Sequence, residues 1–180
     1  MEPEFDRTPE ARPEAAEAIF GDRLPLAEAY VEHLATTGID WGLIGPREVP
    51  RLWTRHVLGC ALVSRLLQPG ERMADLGSGA GLPGIPIALA DPEAHVTLIE
   101  PLERRTTWLQ MVVDDLGLSQ VRVVRARAEE LVDQEIFDSV TSRAVKALPT
   151  LARWTGPLLA VDGRMLAMKG ASAAAEIESS

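Results

Sequence analysis

The chain has 180 residues, of which 46% are hydrophobic and 25% are charged, and its formal net charge is −9. A chain of this size can bury a full hydrophobic core as one domain, so a disulfide scaffold or structural metal is unnecessary. The single cysteine and three scattered histidines also lack the spacing of metal ligands. The negative charge argues against a protein that coats nucleic acid without sequence preference.

The N-terminal residues do not resemble a targeting signal. Glu2, Glu4 and Asp6 stand where a secretory signal carries positive charge before an apolar run. The longest apolar stretches are also much shorter than the ~20 residues of a bilayer span. We therefore expect a cytoplasmic protein with no membrane segment.

The first 70 residues predict a helical cap behind an acidic leader. Residues 1–13 contain three prolines and predict a disordered segment. In residues 14–70, apolar residues spaced by three and four predict an amphipathic helix that ends at Gly38. A loop rich in glycine and proline follows, and a second helix is predicted over residues 50–67.

Residues 71–180 predict an α/β core, in which short apolar runs alternate with helical stretches. The predicted strands are residues 73–76, 96–99, 121–124, 137–141 and 164–168, and the predicted helices are residues 83–90, 103–116, 129–132 and 148–159. Parallel neighbours require a crossover connection, so this alternation predicts a mostly parallel sheet with helices on both faces.

A glycine-rich turn between the first strand and the first helix of this core is the sharpest local signal. Residues 75–84 read DLGSGAGLPG. Glycines at the carboxyl end of a parallel strand let the backbone turn tightly and approach a nucleoside ligand. Glu100 follows the next strand, 23 residues after Gly77, where a carboxylate can accept both hydroxyl hydrogens of a ribose.

Two ligands fit this turn. From Gly79 onward it matches the G-x-G-x-x-G fingerprint of dinucleotide-binding proteins, although few residues remain to hold a dehydrogenase substrate. An acid just before G-x-G-x-G is instead typical of methyltransferases that use S-adenosylmethionine (AdoMet). Asp75 would then lie near the methionine end of AdoMet, and its alternative role is to cap the turn.

Two further positions follow strands of the predicted sheet. Ala128 and Glu129 come after the third strand, at the level of an adenine, or they simply start a helix with an acid in its first turn. Arg143 follows the fourth strand, where substrate and cofactor meet in such sheets, or it pairs with a surface acid.

Together these segments resemble the bacterial small-subunit rRNA guanine-N7 methyltransferases (RsmG, also called glucose-inhibited division protein B). The matching segments read RHVL at residues 55–58, DLGSGAGLPG at 75–84, RR at 104–105, RAEE at 127–130, SRA at 142–144 and KG at 169–170. Their order and spacing agree with the family over residues 26–170, and the ending GLPG is more specific than G-x-G-x-G alone.

The resemblance implies a class I AdoMet-dependent methyltransferase with a Rossmann-like fold, which methylates N7 of one guanine in 16S rRNA. The implied cofactor positions are Gly77, Leu82, Ala128, Glu129 and Arg143, with Glu100 on the ribose. The expected partner is 16S rRNA or the small ribosomal subunit, and we expect a monomer.

Several residues depart from the family pattern. Gly59 and Cys60 stand where the family often has Asp-Ser, Gly42-Leu43-Ile44 replaces Asn-Leu-Thr, and Arg104 replaces a common lysine. Family members also close the sheet with a final hairpin, whereas this sequence stops soon after residue 170. We therefore expect a shortened chain whose fifth strand has an unpaired edge.

On the substrate side, guanine N7 has a lone pair and no proton, so we expect no general base. Arg143 or Lys169 would hold guanine O6 and leave N7 open. We place RNA contacts at Arg51, Arg55, His56 and Arg104. The alternatives are that Arg51 and Arg55 form a solvated helix face and that His56 packs the cap onto the sheet.

Two other functions remain open from the sequence. The chain could be an AdoMet-dependent methyltransferase of a small molecule or a protein, which the acidic charge mildly favours. It could also be a nonenzymatic nucleotide-binding protein that assists RNA assembly.

Overall fold

The computed structural model describes residues 8–143, 147–170 and 173–178. A five-stranded sheet in the order β3-β2-β1-β4-β5 lies at its centre, and all neighbouring strands are parallel. The strands are β1 (Arg72–Leu76), β2 (His95–Ile99), β3 (Val121–Val124), β4 (Phe137–Arg143) and β5 (Leu159–Met168). The longer helices are α1 (Ala15–Phe20), α2 (Leu24–Ala35), α3 (Gly84–Ala90), α4 (Glu103–Asp115), α5 (Leu148–Thr155) and α6 (Ala173–Glu178).

The connections between strands are those that a parallel sheet requires. Helix α3 links β1 to β2, α4 links β2 to β3, and α5 lies between β4 and β5. A 3₁₀ turn, Ala128–Leu131, occupies the corresponding place between β3 and β4. The predicted class of parallel α/β sheet with helices on both faces is confirmed, and the carboxyl ends of the strands share one edge.

The N-terminal helices and one face of the sheet share a single hydrophobic core. Tyr30 and Leu34 of α2 and Trp108 of α4 are fully buried in it, together with Met73 of β1. The Trp108 indole also donates a hydrogen bond to the Thr37 hydroxyl at 2.9 Å. The opposite face of the sheet packs against α5 and the 3₁₀ turn in a second cluster.

The prediction of a single regular helix over residues 50–67 is wrong in the type of helix. A 3₁₀ segment Pro46–Arg51 leads into a π-helical stretch Leu52–Leu58, an α-helical turn Gly59–Ala61 and a 3₁₀ segment Leu62–Leu66. Buried pairs recur here every four residues, at 52–53, 56–57 and 60–61. A repeat of four exceeds the 3.6 residues of an α-helical turn, so the wider π turn keeps all three pairs facing inward.

The residues before α1 are partly held against the helices. The Glu10 carboxylate accepts hydrogen bonds from the backbone N–H of Thr54 at 2.8 Å and from its hydroxyl at 3.0 Å, and Arg12 pairs with Glu28 at 2.9 Å. These side-chain contacts attach Glu10 and Arg12 to the helices, and the disorder of the leader stays a prediction. Residues 1–7 of the predicted leader lie outside the described residues.

Within the described ranges, no helix is both long and apolar enough to cross a membrane.

An ion pair between the buried Glu71 and the partly exposed Arg164 connects the start of β1 to β5. The Glu71 carboxylate is 5% exposed, and Arg164 of β5 donates to its two oxygens at 2.9 and 2.7 Å. The same guanidinium donates to the Leu66 carbonyl at 2.7 Å. Removal of Arg164 would leave the buried Glu71 carboxylate without this cation, although the Gln68 N–H still donates to it at 2.6 Å.

We therefore predict that Arg164→Ala lowers the free energy of unfolding by about 1–3 kcal/mol, the usual cost of stranding a charged hydrogen-bonding group. The control is Arg72→Ala, which removes a similar pair with Asp138 between two more exposed side chains. Urea unfolding of both variants measures their free energies of unfolding. The prediction would be contradicted if Arg164→Ala lowered the free energy of unfolding no more than Arg72→Ala does.

Candidate functional site

Three glycines with left-handed backbones shape the turn that follows β1. The φ angles of Gly77, Gly79 and Gly81 are 75°, 56° and 84°, a region that side-chain-bearing residues rarely adopt. The turn stays attached to β2, because the Gly77 N–H donates to the Ile99 carbonyl at 2.9 Å. Gly77 and Gly79 are partly exposed, whereas Ser78 and Ala80 are buried, so the turn exposes mainly backbone at the carboxyl edge of the sheet.

Glu100 lies directly against this turn. Its carboxylate is 1% exposed and accepts hydrogen bonds from the Gly79 N–H at 3.0 Å and the Leu102 N–H at 3.1 Å. Arg105 approaches the same carboxylate at 3.6 Å. The structure thus brings together the glycine turn and the acid that the sequence analysis connected by spacing, and backbone donors fix the acid's position.

Asp75 lies beneath the turn, with no exposed surface. One carboxylate oxygen, Oδ2, accepts a hydrogen bond from the Gly84 N–H at 2.9 Å, at the start of α3. The other, Oδ1, has no partner among the described residues. Burial raises the pKa of Asp75 from 3.8 to about 7, although the Gly84 hydrogen bond acts in the opposite direction.

A cavity of about 360 Å³ opens at the ends of the first three strands. Its lining residues are Leu76, Gly77, Ile99, Pro101, Ala126, Arg127, Ala128, Glu129 and Trp154. The volume falls within the ordinary range of small-molecule pockets, and most of the lining is apolar. The cavity therefore suits a flat, largely apolar group placed next to the glycine turn.

The predicted cofactor residues occupy different parts of this site. Gly77, Ala128 and Glu129 line the cavity. Leu82 does not line it, because its side chain is 9% exposed and packs in the core beside the N-terminal helices. Trp154 of α5 does line it, although the sequence analysis gave this residue no part in the site, since its helical position suits a core residue equally well.

Tyr30 supports the glycine turn from the N-terminal side. This fully buried residue of α2 donates its hydroxyl hydrogen to the Ala80 carbonyl at 2.7 Å. The two residues are 50 positions apart and no sequence pattern connects them, so this contact could not be predicted from the sequence. It ties the N-terminal helices to the backbone of the turn.

Arg143 ends β4 on the other side of the turn. Its guanidinium donates to the Cys60 sulfur at 3.3 Å and to Nδ1 of His56. In the register between β4 and β5, Arg143 pairs with Met168, so Lys169 follows at the neighbouring strand end. The two residues predicted to hold the substrate therefore stand at adjacent strand ends. Ala144, the last residue of the SRA motif, lies outside the described residues.

Three of the residues predicted to bind RNA meet at one carboxylate, Glu48. Its oxygens lie 2.7 Å from Arg51, 3.5 Å from Arg55 and 2.6 Å from Nε2 of His56. Arg51 and Arg55 are exposed, whereas His56 is 5% exposed. Burial acts to raise the pKa of Glu48, but hydrogen bonds from His56 and Arg51 outweigh it, so the net pKa is lowered.

Arg104, the fourth predicted RNA contact, is exposed at the start of α4. Its guanidinium lies 5.9 Å from the centre of the Trp41 ring and donates to the Asp40 carbonyl at 3.4 Å. This pairing joins α4 to the loop after α2 and orients a cation beside an aromatic ring.

The sequence identifies the family. Residues 23–180 match the model of GidB, rRNA small subunit methyltransferase G. The chain belongs to this family. It is 63% identical to the ribosomal RNA small subunit methyltransferase G of Arthrobacter sp. (strain FB24) over 91% of this chain and 76% of that relative. It is 62% identical to the enzyme of the same name from Renibacterium salmoninarum, over 93% of this chain and 79% of that relative.

Solved structures support the fold. A putative caffeoyl-CoA O-methyltransferase from Staphylococcus aureus superposes with a TM-score of 0.56 at 19% identity, over 81% of this chain and 72% of that one. An S-adenosylmethionine-dependent methyltransferase from Thiobacillus denitrificans superposes with a TM-score of 0.52 at 22% identity, over 60% of this chain and 46% of that one. The predicted class I methyltransferase fold is confirmed.

We predict that Asp75→Asn flattens the pH dependence of stability. The folded-state pKa of about 7 exceeds the ordinary value of 3.8, so the wild type should lose stability as pH rises between these values. An amide cannot ionise, and the variant should therefore lack this decline. Urea unfolding at a series of pH values from 4 to 7 measures it.

The control for this experiment is Asp138→Asn. A hydrogen bond from Arg72 lowers the pKa of Asp138, so its contribution to stability is lost below the ordinary value of 3.8. Asp138→Asn should keep the wild-type slope above pH 4. An equal slope in Asp75→Asn and the wild type would show that Asp75 is already ionised throughout this range.

Proposed function

We propose that this protein transfers a methyl group from AdoMet to N7 of a guanine in 16S rRNA of the small ribosomal subunit. Membership of the rRNA small subunit methyltransferase G family makes it an AdoMet-dependent methyltransferase of small-subunit rRNA. The observation that carries the cofactor site is the glycine turn, which faces a fixed carboxylate beside a cavity. The N7 position and the individual site residues belong to the proposal.

The residues present fit AdoMet on three observations. The cavity lined by Gly77, Ala128 and Glu129 has room for an adenine ring beside bare backbone. Glu100 stands next to Gly79, where it can accept hydrogen bonds from ribose hydroxyls. The unpartnered Oδ1 of Asp75 can accept a hydrogen bond from the ammonium group at the methionine end.

In this proposal one predicted cofactor residue takes a narrower role, and one residue that the sequence did not predict joins the site. Leu82 supports the turn from the core instead of touching the adenine. Trp154 adds an aromatic wall to the adenine cavity.

AdoMet supplies a methyl group bonded to a positively charged sulfur. The lone pair of guanine N7 forms the new bond to carbon, the carbon–sulfur electron pair stays on sulfur, and the positive charge passes to the purine. No proton moves in this step, so the protein needs no general base. The protein's task is to align the reacting atoms, which can contribute about 7–11 kcal/mol in well-oriented systems.

Arg143 and Lys169 are the proposed contacts to guanine O6. A guanidinium that gripped both O6 and N7 would block the nucleophile, so this contact must be to O6 alone. Arg51, Arg55, His56 and Arg104 are the proposed RNA contacts. Arg51 and Arg55 already share the Glu48 carboxylate, and an RNA phosphate must therefore compete with Glu48 for them.

We propose that residues 14–70 act as a helical cap on the catalytic core formed by residues 71–180. The proposed working form is a monomer in the cytoplasm.

For the cofactor site, we predict that Gly77→Asp abolishes AdoMet binding, because a side chain there enters the cofactor's volume. The control is Gly117→Asp, since Gly117 also has a positive φ of 62° but lies in the turn after α4. Calorimetry should detect no binding to Gly77→Asp and wild-type affinity for Gly117→Asp. Unchanged affinity of Gly77→Asp would place the cofactor elsewhere.

The reaction itself can be tested with radiolabelled AdoMet and small ribosomal subunits that lack the modification. We expect label in 16S rRNA, at a guanine that borohydride and aniline treatment cleaves as 7-methylguanine. Naked 16S rRNA and ribosomal proteins are assayed in parallel. Label in protein alone would favour the alternative methyltransferase function, and AdoMet binding without transfer would favour a nonenzymatic assembly protein.

A further inference from the structure

A chain of three side chains joins the N-terminal region to the end of β4. Glu48 lies in the 3₁₀ segment Pro46–Arg51, His56 lies in the π-helical stretch, and Arg143 is the last residue of β4. Nε2 of His56 is 2.6 Å from Glu48, and its Nδ1 meets the Arg143 guanidinium. Arg143 and His56 are 87 residues apart in sequence.

Hydrogen-bond chemistry allows only one arrangement of protons in this chain. A guanidinium has donors and no acceptor, so Nδ1 of His56 must present a lone pair to Arg143. A neutral imidazole then carries its hydrogen on Nε2, and this N–H can donate to the ionised Glu48. Glu48 therefore stabilises the tautomer that accepts from Arg143.

We propose that Glu48 and His56 are positioning residues, which hold the Arg143 guanidinium at the substrate edge of the sheet through the Nε2–H tautomer of His56. This inference rests on the proposed role of Arg143 in the reaction. It also gives His56 a task besides the RNA contact proposed above, and this task requires no general base.

Among the described residues, the two acceptors of Arg143, Cys60 and His56, are uncharged. Burial raises the pKa of the Cys60 thiol to about 11, so Cys60 is neutral near pH 7. His56 is neutral in the tautomer described above. Other arginines, such as Arg122 and Arg164, instead pair with carboxylates. Neutral acceptors fix the direction of the Arg143 guanidinium without cancelling its charge, which stays available for an electronegative oxygen of the substrate.

The surroundings of His56 favour its neutral form. Burial lowers its pKa, the hydrogen bond to Glu48 acts in the opposite direction, and the charges of Arg143 and Arg55 lower it further. Tyr30, Cys60 and Asp75 also interact electrostatically with Arg143, and Glu100 interacts with Asp75. Protonation of Nδ1 would turn the acceptor toward Arg143 into a donor and separate the two cations.

The first test is nuclear magnetic resonance of the whole folded chain with ¹⁵N-labelled histidine, which requires no catalytic activity. Variants His33→Gln and His95→Gln assign the signals. We expect His56 at pH 7 to show a protonated Nε2 and an unprotonated Nδ1. Glu48→Gln keeps an oxygen acceptor for the Nε2–H and should keep this tautomer, whereas Glu48→Leu removes the acceptor and should increase the population of the other tautomer. A protonated Nδ1 in the wild type, or a tautomer population in Glu48→Leu equal to that of the wild type, would overturn the proposal.

The second test is methyl transfer to small subunits. His56→Leu removes the acceptor for Arg143, and we expect kcat to fall by up to about 10²-fold, as for other misplaced reacting groups. The affinity for AdoMet should fall much less than kcat. His56→Asn keeps an oxygen acceptor near the position of Nδ1 and should recover part of the rate.

The matched control is His33→Gln, because His33 forms a similar histidine–carboxylate pair with Asp115, at 2.8 Å, away from Arg143. It should keep the wild-type kcat. Wild-type kcat in His56→Leu would overturn the proposal, and so would a loss of AdoMet affinity as large as the loss of kcat. Absence of methyl transfer by the wild type would instead count against the proposed function, while the tautomer measurement still decides the arrangement around Arg143.

Discussion

The site depends on one backbone constraint, which is that the chain leaving β1 must turn within a few residues while exposing only main-chain atoms. Gly77, Gly79 and Gly81 meet it by adopting left-handed conformations. Their backbone is then held from two sides, by the Glu100 carboxylate on Gly79 and by the Tyr30 hydroxyl on Ala80. Pre-formed rigidity of this kind lowers the entropic cost of binding a ligand.

Electrostatics divide the site into two halves. On the proposed cofactor side, the side chains of Asp75 and Glu100 are buried and accept hydrogen bonds from backbone N–H groups. On the proposed substrate side, the arginines near Glu48 are exposed, and Arg143 donates to Cys60 and His56. This division suits a reaction between a cationic donor and an anionic polymer, even though the chain as a whole carries a net charge of −9.

Much of the fold could be read from the sequence because its signals are local. The alternation of strands and helices predicted the parallel sheet, and the spacing of the glycine turn and Glu100 predicted two groups that meet at its edge. The π-helical stretch escaped prediction, because its four-residue repeat of buried pairs looks like an ordinary amphipathic helix in a single sequence. Glu48, Tyr30 and Trp154 escaped as well, since their partners in the site are set by tertiary packing.

The hydrogen bond from Tyr30 to Ala80 couples the stability of α2 to that of the glycine turn. Tyr30, which contacts the turn from the N-terminal side, belongs to the same hydrophobic core as the sheet face beneath the turn. Fraying of α2 would therefore release the turn as well, and a ligand seated on the turn would in return hold α2 in place. Ligand binding in the pocket would therefore stabilise the folded N-terminal helices, and unfolding of these helices would weaken ligand binding.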